Sequence, residues 1–383
     1  MANIAFVTWD GGGNLPPAAG IAQALVARGH GVRFFGYEVQ RARIEAQGLA
    51  FSALSRTGDF DKLRAPPDER RAALLRRVWA SPEHLDDVPD ALAEHPADVL
   101  VVDFLMHGAL AWSERAHLPV VALAHSAIAA LVPPPESPVG AVILSASNAL
   151  RSSAGLTLMR RLNDAWDRIL TLVTTVPELD PAADGRGPSI RYVGPIVEEF
   201  PGHTWESPWA ADDMRPLVLV SFTTTGFWDQ RARIRNTLAA LASEPVRVLV
   251  SAREGAELGE MPANAVVRGF VPHALVLPGA ALTVTHCGHG TVTASLAHGV
   301  PLIGLPNQAA DQPFLSSLVQ RLGAGRALDG EADEGAIRAA VREVLANPSY
   351  AAAARRLGAA IRASSCPIGA AVELERAIEE RRC

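Results

Sequence analysis

The strongest constraint on the fold is an order of short apolar strands, small-residue turns and helices that occurs twice in the chain. Residues 3–9 form an apolar run that ends in a glycine-rich turn, residues 17–29 have helical periodicity, and residues 31–36 again resemble a strand. This order predicts a βαβ unit and therefore a parallel sheet. Near-continuous apolar runs at 98–104 and 119–123 indicate further strands, covered on both faces.

A second series of strands and helices follows a proline-rich stretch. Residues 195–216 contain Pro195, Pro201, Pro208 and Pro216, which is a composition typical of a linker. The pattern after it predicts strands at 217–222, 246–251, 265–269, 281–285 and 301–305, with helices at 230–242, 289–298 and 309–322. Helices are also predicted over 155–172 and 369–382.

These two series predict an α/β protein with two Rossmann-like, doubly wound domains that face each other across a cleft. We expect an N-terminal domain at 1–200, a linker at 201–215 and a C-terminal domain at 216–366, which is consistent with the length of 383 residues. The helix at 367–383 either packs back on the N-terminal domain or is a solvated tail.

Composition narrows the possible functions. The net charge of -6 and the pI of about 6.0 argue against a nucleic-acid partner. Lys62 is the single lysine, so no P-loop is present and a Schiff-base mechanism has one candidate. Cys287, Cys366 and Cys383 have no spacing typical of zinc sites or a disulfide framework.

The sequence also indicates where the protein works. The first residues, MANIAFVTWDGGG, lack the basic and long apolar regions of a signal peptide. No uninterrupted apolar run approaches the roughly 20 residues of a membrane span. We therefore expect a cytoplasmic protein without a membrane span.

The turn His286-Cys287-Gly288-His289-Gly290-Thr291 carries the most informative chemistry. It follows a predicted strand and precedes a predicted helix. Glycines allow close approach of a ligand, and a helix N-terminus offers unpaired N–H groups to an anion. Thr291 adds a hydroxyl, and His286 adds a charge-assisted contact if it is protonated. The pattern indicates a diphosphate site; the alternative is an ordinary strand-to-helix connection.

The segment 269–312 resembles the nucleotide-sugar signature of the inverting GT-B glycosyltransferases of plant secondary metabolism and bacterial antibiotic biosynthesis. That signature runs from an aromatic residue through H-C-G-x-N/G-S/T and G-V-P to P-x-x-x-D-Q, and this chain supplies each element with little change. The resemblance implies that Phe270 stacks on the pyrimidine and that Val271 offers backbone bonds to the base. It implies further that His286, Gly288, Gly290 and Thr291 bind the diphosphate, that Asp311 and Gln312 bind sugar hydroxyls, and that Ser221 and Thr224 lie near the phosphates and the sugar.

One departure from the family concerns the nucleotide. Many members carry a glutamate that binds both ribose hydroxyls where this chain has Ala294. A deoxyribose has no 2′-hydroxyl, whereas a UDP-sugar would forfeit hydrogen bonds worth roughly 1.5–3 kcal/mol each. We therefore expect a dTDP-linked donor in preference to a UDP-linked one.

A second departure concerns the general base. The family places a histidine, or sometimes an aspartate, three residues before a proline in the first turn, and here Asn14 precedes Pro17. Asparagine cannot accept a proton at neutral pH, so Asn14 is expected to contact the acceptor instead. The candidates for the base are, in order, Asp10, Asp103 and His125. Asp10 and Asp103 could instead be structural residues that cap nearby backbone groups. If the acceptor is an acidic phenol or a nitrogen or carbon nucleophile, the reaction would need no strong base.

The resemblance implies a metal-independent, inverting glycosyltransferase of the hexosyltransferase type, with no cofactor besides the nucleotide-sugar co-substrate. The acceptor, a hydrophobic natural product, is expected at the N-terminal domain against Asn14, the 56–95 region and the 133–138 loop. Expected partners are these small molecules, not nucleic acid or membrane, and a homodimer is left open. Two alternatives stay open: a catalytically silent nucleotide-binding partner protein and a nucleotide-sugar epimerase on the same fold.

Overall fold

The computed structural model describes residues 1–66, 68–185, 187–197, 204–222, 228–252, 257–269, 271–308 and 311–382. Its internal contacts divide the chain into two compact units. The first comprises Met1–Ile196 together with Ser364–Cys383, and the second comprises Val197–Ala363. The division between the units therefore falls at 196/197, slightly before the stretch predicted as the linker.

The first unit is built on a parallel sheet. Its strands are β1 (Asn3–Val7), β2 (Gly31–Gly36), β3 (Ala50–Ala53), β4 (Val99–Asp103), β5 (Val120–Ala124), β6 (Leu170–Val173) and β7 (Ile190–Tyr192). They lie side by side in the order β3-β2-β1-β4-β5-β6-β7. The predicted βαβ unit at 3–36 is thus confirmed as β1, helix and β2, with β1 paired in parallel to β2.

Helices connect these strands. Their bounds are α1 (Leu15–Ala27), α2 (Arg41–Glu45), α3 (Arg70–Leu74), α4 (His84–Glu94), α5 (His107–Ser113), α6 (Ile128–Leu131) and α7 (Pro138–Ser153). The predicted helix at 155–172 is wrong. The helix lies earlier because the Ser137 hydroxyl accepts the Gly140 amide at its N-terminus, and Gly155, at a φ of 67°, follows its end.

Both faces of this sheet are buried. In β4, Val99 and Val101 pack into one apolar cluster with α1, whereas Leu100 and Val102 pack into the cluster on the opposite face with α5. Each of these side chains is at most 1% exposed. Burial of a valine or leucine side chain stabilises a fold by about 1.5–3 kcal/mol. The prediction that the apolar run at 98–104 is a strand covered on both faces is therefore confirmed.

The second unit has the same design. Its strands are β8 (Leu217–Ser221), β9 (Arg247–Ser251), β10 (Ala265–Arg268), β11 (Ala280–Thr285), β12 (Leu302–Gly304) and β13 (Gly325–Ala327), in the parallel order β10-β9-β8-β11-β12-β13. Its helices are α8 (Arg231–Leu241), α9 (His273–Val276), α10 (His289–Ala297), α11 (Gln312–Arg321), α12 (Glu334–Ala346) and α13 (Pro348–Ala363). The prediction of two parallel-sheet α/β domains is confirmed.

The last helix of the chain, α14 (Ile368–Arg382), returns to the first unit and packs on α1. Leu374 and Ile378 enter the apolar cluster on the α1 face of the sheet. At the rim, the Glu375 carboxylate accepts from Arg28 Nε and Nη2 at 2.8 and 2.7 Å and lies 2.9 Å from His30 Nε2. Among the described residues, no helix is long and apolar enough to cross a membrane.

We predict that the Glu375 contact stabilises the first unit in a pH-dependent way. Its hydrogen bond with Arg28 lowers the pKa of Glu375 from 4.5 to about 2. A carboxyl group with a lowered pKa stabilises the folded state above its unfolded-state pKa, and this contribution is lost as the pH falls towards 2. Glu375→Gln should therefore lower the melting temperature at pH 7 by about 2 °C.

Thermal unfolding between pH 7 and pH 3 checks this prediction. The difference between wild type and Glu375→Gln should narrow as the pH falls below 4.5. Glu379→Gln, an exposed position on the same helix, is the matched control and should unfold like the wild type. A pH-independent difference would show that the ion pair is not its cause.

Candidate functional site

Each sheet has one point at which the strand order reverses, and the informative residues lie there. In the first unit the reversal falls between β1 and β4, and in the second between β8 and β11. The crevice at the carboxyl ends of such a pair is where open α/β sheets bind ligands. In the first unit, Asp10 follows β1 and Asp103 is the last residue of β4. In the second unit, Ser221 is the last residue of β8 and His286 follows β11.

The turn 286–291 has the form that the sequence predicted. Strand β11 ends at Thr285, Gly288 is the N-cap of α10, and the helix starts at His289. Gly288 provides no side-chain cap, and the first turn contains no acidic residue. Among the described residues, the amides of Gly288, Gly290 and Thr291 have no hydrogen-bond partner. Together with the helix dipole, these groups make an uncapped N-terminus that suits an anion.

The two glycines of the turn have different surroundings. A Cβ atom at Gly288 would lie 2.7 Å from His286 Nε2, so a side chain there would displace the imidazole. A Cβ atom at Gly290 would meet no atom of the described residues within 4 Å, and Gly290 is exposed. Gly288 therefore serves the packing of His286, whereas Gly290 faces open space at the helix terminus.

The surroundings of His286 favour its neutral form. Burial, chiefly, and the nearby charge of Arg233 lower the pKa of His286 from 6.5 to about 4. The side chain is 8% exposed and its ring lies 6.4 Å from that of Phe222. The protonated imidazole considered from the sequence is thus unfavourable at neutral pH, and His286 acts here as a neutral hydrogen-bonding group.

Cys287 shapes the turn. It has a φ of 60°, in the left-handed region that non-glycine residues seldom adopt, and its amide donates to Thr285 Oγ1 at 3.3 Å. Its side chain is fully buried, and burial raises the pKa of the thiol to about 12. Cys287 therefore remains a protonated thiol that fixes the backbone, and its strain coincides with the predicted ligand site.

Of the other residues predicted to bind the nucleotide-sugar, only some lie in the part of the chain that the structure describes. Ser221 ends β8 and its Oγ lies 2.9 Å from His273 Nε2. Val271 belongs to an apolar cluster against which Ala294 also packs. Thr224 and Phe270 lie outside the described residues.

Gln312 is held by a buried amide network that the sequence did not reveal. Its Oε1 accepts from the backbone N–H and from Nδ2 of Asn307, at 3.0 and 2.9 Å. Asn307 Oδ1 in turn accepts from Gln230 Nε2 at 3.3 Å. Because Oε1 is occupied, Gln312 retains its Nε2 as the group for a ligand. Asp311, half-buried, precedes it as the N-cap of α11.

In the first unit, Asn14 braces the turn and does not point to solvent. Its Nδ2 donates to Trp9 O at 2.8 Å and to Asp103 Oδ2 at 2.9 Å, and its Oδ1 accepts from Gly11 N at 2.9 Å. Asn14 is 2% exposed. Both amide hydrogens are used, so the expectation that Asn14 contacts the acceptor is not supported by this arrangement.

The three base candidates now differ. Asp103 is 4% exposed, accepts from Leu105 N at 3.0 Å as well as from Asn14, and lies 3.5 Å from His125 Nδ1 through Oδ2. Asp10 accepts from Gly12 N at 3.2 Å and lies 3.9 Å from Lys62 Nζ. Asp103 and His125 are thus brought together, whereas Asp10 pairs with the single lysine.

Sequence reasoning missed four side chains at these sites. Arg233, Gln230 and Asn307 adjoin the second site; Gln230 and Arg233 come from a segment without a recognisable motif, and Asn307 lies at a variable position of the 269–312 signature. Lys62 was noted only for its rarity, yet it is 8% exposed and lies 5.8 Å from the Trp9 ring. Within the described part of the chain, no group of three or more histidine, cysteine or acidic side chains is arranged to hold a metal ion.

Comparison with known proteins shows what this chain is similar to. The family model described as "Erythromycin biosynthesis protein CIII-like, C-terminal domain" matches residues 232–377. The 4′-demethylrebeccamycin synthase of Lentzea aerocolonigenes is 29% identical over 402 residues, covering 93% of this chain and 94% of that protein. A protein of Bacillus subtilis (strain 168), named an uncharacterized UDP-glucosyltransferase, is 23% identical and covers 100% and 98%.

The chain is a glycosyltransferase, similar along most of its length to those of secondary metabolism. Its fold agrees with a solved structure, spinosyn rhamnosyltransferase complexed with thymidine diphosphate, with a TM-score of 0.71 over 98% of this chain and 100% of that one at 22% identity. The resemblance first seen in 269–312 is thereby confirmed, as is the GT-B fold. The residue roles that the resemblance implies stay predictions.

Gly290 offers a direct test of the predicted diphosphate site. Gly290→Ala should leave the melting temperature unchanged or slightly higher, because the Cβ atom meets no protein atom and alanine favours helices. The same methyl group would crowd a diphosphate at the N-terminus of α10. We expect affinity for a pyrimidine diphosphate to fall about tenfold, measured by calorimetry.

The matched control is Gly279→Ala, where the added Cβ atom is equally without contacts. It should change neither stability nor nucleotide affinity. If Gly290→Ala bound the nucleotide like the wild type, the diphosphate would have to lie elsewhere.

Proposed function

We propose that this glycosyltransferase moves a sugar from a dTDP-linked donor to a hydroxyl group of a hydrophobic natural product, with inversion and without a metal ion. The observation that carries the proposal is the uncapped N-terminus of α10 at the strand-order reversal of the second unit. Its open amides suit a diphosphate leaving group. We place the donor on the second unit and the acceptor on the first.

Thymidine as the donor base is supported by two observations. Ala294 offers no carboxylate to a ribose 2′-hydroxyl, and it packs against the apolar cluster that contains Val271, the predicted base-binding residue. Spinosyn rhamnosyltransferase, a structural relative, has been solved with thymidine diphosphate. The name of the B. subtilis relative refers to UDP, so the choice of base is the part of the proposal that a binding competition must decide.

The acceptor is proposed to be an aromatic or polyketide-like molecule. Beside Asp10, a concave surface is lined by aromatic and aliphatic side chains, namely Trp9, Tyr37, Val39, Phe60, Leu74 and Val78, with Lys62. The Trp9 and Trp79 rings meet edge to face at 6.1 Å. The space between these side chains holds about one water molecule, so we propose that they form one edge of the acceptor site and do not enclose the acceptor. Phe60, Leu74 and Val78 belong to the 56–95 region that was expected to face the acceptor.

The proposed base is His125, oriented by Asp103. His125 Nδ1 lies 3.5 Å from Asp103 Oδ2, and the histidine side chain is 12% exposed. At this distance Nδ1 makes no hydrogen bond to a described residue, so the contact with Asp103 is electrostatic. Asp103, at 4% exposed, is too buried to contact a substrate. The carboxylate of Asp10 lies 3.9 Å from the ammonium group of Lys62, which balances its charge. A histidine held by a carboxylate is a general base suited to neutral pH.

In the proposed reaction, His125 Nε2 takes the proton of the acceptor hydroxyl as its oxygen attacks the anomeric carbon. The bond between that carbon and the diphosphate oxygen breaks, and dTDP leaves from the opposite face, which inverts the configuration. The negative charge that develops on the diphosphate is stabilised by the α10 N-terminus and by a hydrogen bond from neutral His286.

We predict a preference for dTDP over UDP. Competition calorimetry or fluorescence binding should give the tighter dissociation constant for dTDP, and equal or tighter binding of UDP would end the assignment of the base. Ala294→Glu should restore the charged partner for the ribose hydroxyls and tighten UDP binding about tenfold relative to dTDP. Ala294→Gln, which has the same length without the charge, should give a smaller change.

We also predict that His125→Gln and Asp103→Asn each lower kcat for an aliphatic alcohol acceptor about 10²- to 10⁴-fold with little effect on the KM of the nucleotide-sugar. With an acidic phenol acceptor the loss should be much smaller, because the phenol needs less help to deprotonate. Initial-rate measurements on both acceptors check this.

The exposed histidine before β5 provides the control, since His117→Gln should keep full activity. Asp10→Asn tests the residue that the sequence ranked first as the general base. Loss of alcohol transfer in Asp10→Asn together with normal rates in His125→Gln would assign the base to Asp10 instead.

A further inference from the structure

Arg233, in the first turn of α8, has an unusual environment for an arginine. Its Nε is buried and has no hydrogen-bond partner among the described residues. Its Nη1 donates to Gln230 Oε1 at 3.3 Å, and its Nη2 would lie 2.9 Å from a Cβ atom at Gly330. An unmet donor of a buried cation costs free energy, which a ligand acceptor can recover.

The charge of Arg233 is also incompletely balanced. Asp329 and Glu331 act on it electrostatically, but neither forms an ion pair with it within 4.0 Å. By contrast, neighbouring Arg231 on the same helix forms a bidentate contact with Asp229 at 3.0 and 2.8 Å. The guanidinium of Arg233 is half-buried, so it is less screened by water than a surface charge.

Its position connects the two predicted halves of the donor site. Gly330, which adjoins its guanidinium, packs closely against the Pro306 carbonyl, because a Cβ atom there would lie 2.1 Å from Pro306 O. Pro306 lies just beyond β12, and β12 neighbours β11. Its charge is felt at His286, on the diphosphate turn. Through Gln230 and Asn307 it is linked by hydrogen bonds to Gln312, the predicted sugar-binding residue.

We propose that Arg233 binds the diphosphate of the donor, its unpartnered Nε and its charge meeting a phosphate oxygen beside the N-terminus of α10. This inference rests on the proposed function, since it assumes a nucleoside-diphosphate donor. It resolves a shortage of positive charge: His286 is neutral, and Lys62 lies in the other unit. Arginine suits this role because its planar donors match phosphate oxygens.

Calorimetry with thymidine, dTMP and dTDP tests the proposal on the full chain. Arg233→Met should weaken dTDP about 10- to 100-fold and leave thymidine unchanged, since only the diphosphate is contacted. Arg233→Lys should fall between wild type and Arg233→Met. Arg235→Met, an exposed arginine two residues further along α8, is the matched control and should bind all three like the wild type.

Each outcome has one meaning. Unchanged dTDP affinity in Arg233→Met, with or without a change in the KM of the nucleotide-sugar, would overturn the proposal, and so would an equal loss for thymidine, which would indicate a structural role. If wild-type protein bound none of the three ligands and no UDP, the proposed function itself would fail. If it bound UDP alone, only the base would be wrong, and uridine, UMP and UDP would replace the series.

Discussion

Parallel pairing of strands that are buried on both faces is the constraint on which the rest of the molecule depends. Because every strand in both sheets points the same way, all carboxyl ends in a unit lie at one edge, and the loops that follow them are forced together. Where the strand order reverses, neighbouring loops diverge and leave a crevice. Asn14 and Asp103 meet across the reversal in the first unit although they are 89 residues apart in sequence. Ser221 and the 286–291 turn flank the reversal in the second.

The two crevices have opposite electrostatic characters. In the first, a buried carboxylate is held by hydrogen bonds from an amide and the backbone and lies beside an imidazole, an arrangement that can accept a proton. In the second, open backbone amides, a neutral imidazole and an underbalanced guanidinium surround the turn, an arrangement that can accept negative charge. Glycosyl transfer needs both functions, one for the acceptor proton and one for the leaving diphosphate. The same backbone design therefore serves two chemistries through the side chains at its loops.

The sequence predicted what local patterns encode. Apolar runs in βα order predicted the parallel sheets, and the glycine-rich turn at 286–291 predicted a strand-to-helix connection, because these features depend on neighbours in the chain. The prediction of a helix at 155–172 was wrong. The actual helix begins at Pro138, directly after a proline-rich stretch, and its start depends on the Ser137 cap. Arg233, Gln230 and Asn307 were missed because the hydrogen bond that joins their two segments connects residues 77 positions apart, and no spacing rule reports such a contact. The sequence also could not predict that the Asn14 side chain is buried and fully hydrogen-bonded, because an asparagine next to a glycine-rich turn is usually exposed.

The Asn14 position explains how a transferase of this family can do without a histidine in its first turn. An amide at that place keeps the hydrogen bond to Asp103 that a histidine would make, so the carboxylate remains buried, satisfied and fixed. Asparagine has no basic group, but a fixed carboxylate at the end of β4 can orient any imidazole that an adjacent strand brings within reach. Strand β5 pairs directly with β4 and delivers His125 one residue after its end. Under the proposed function, Asp103 at the end of β4 would position the base, and His125 at the start of the loop after β5 would carry the proton.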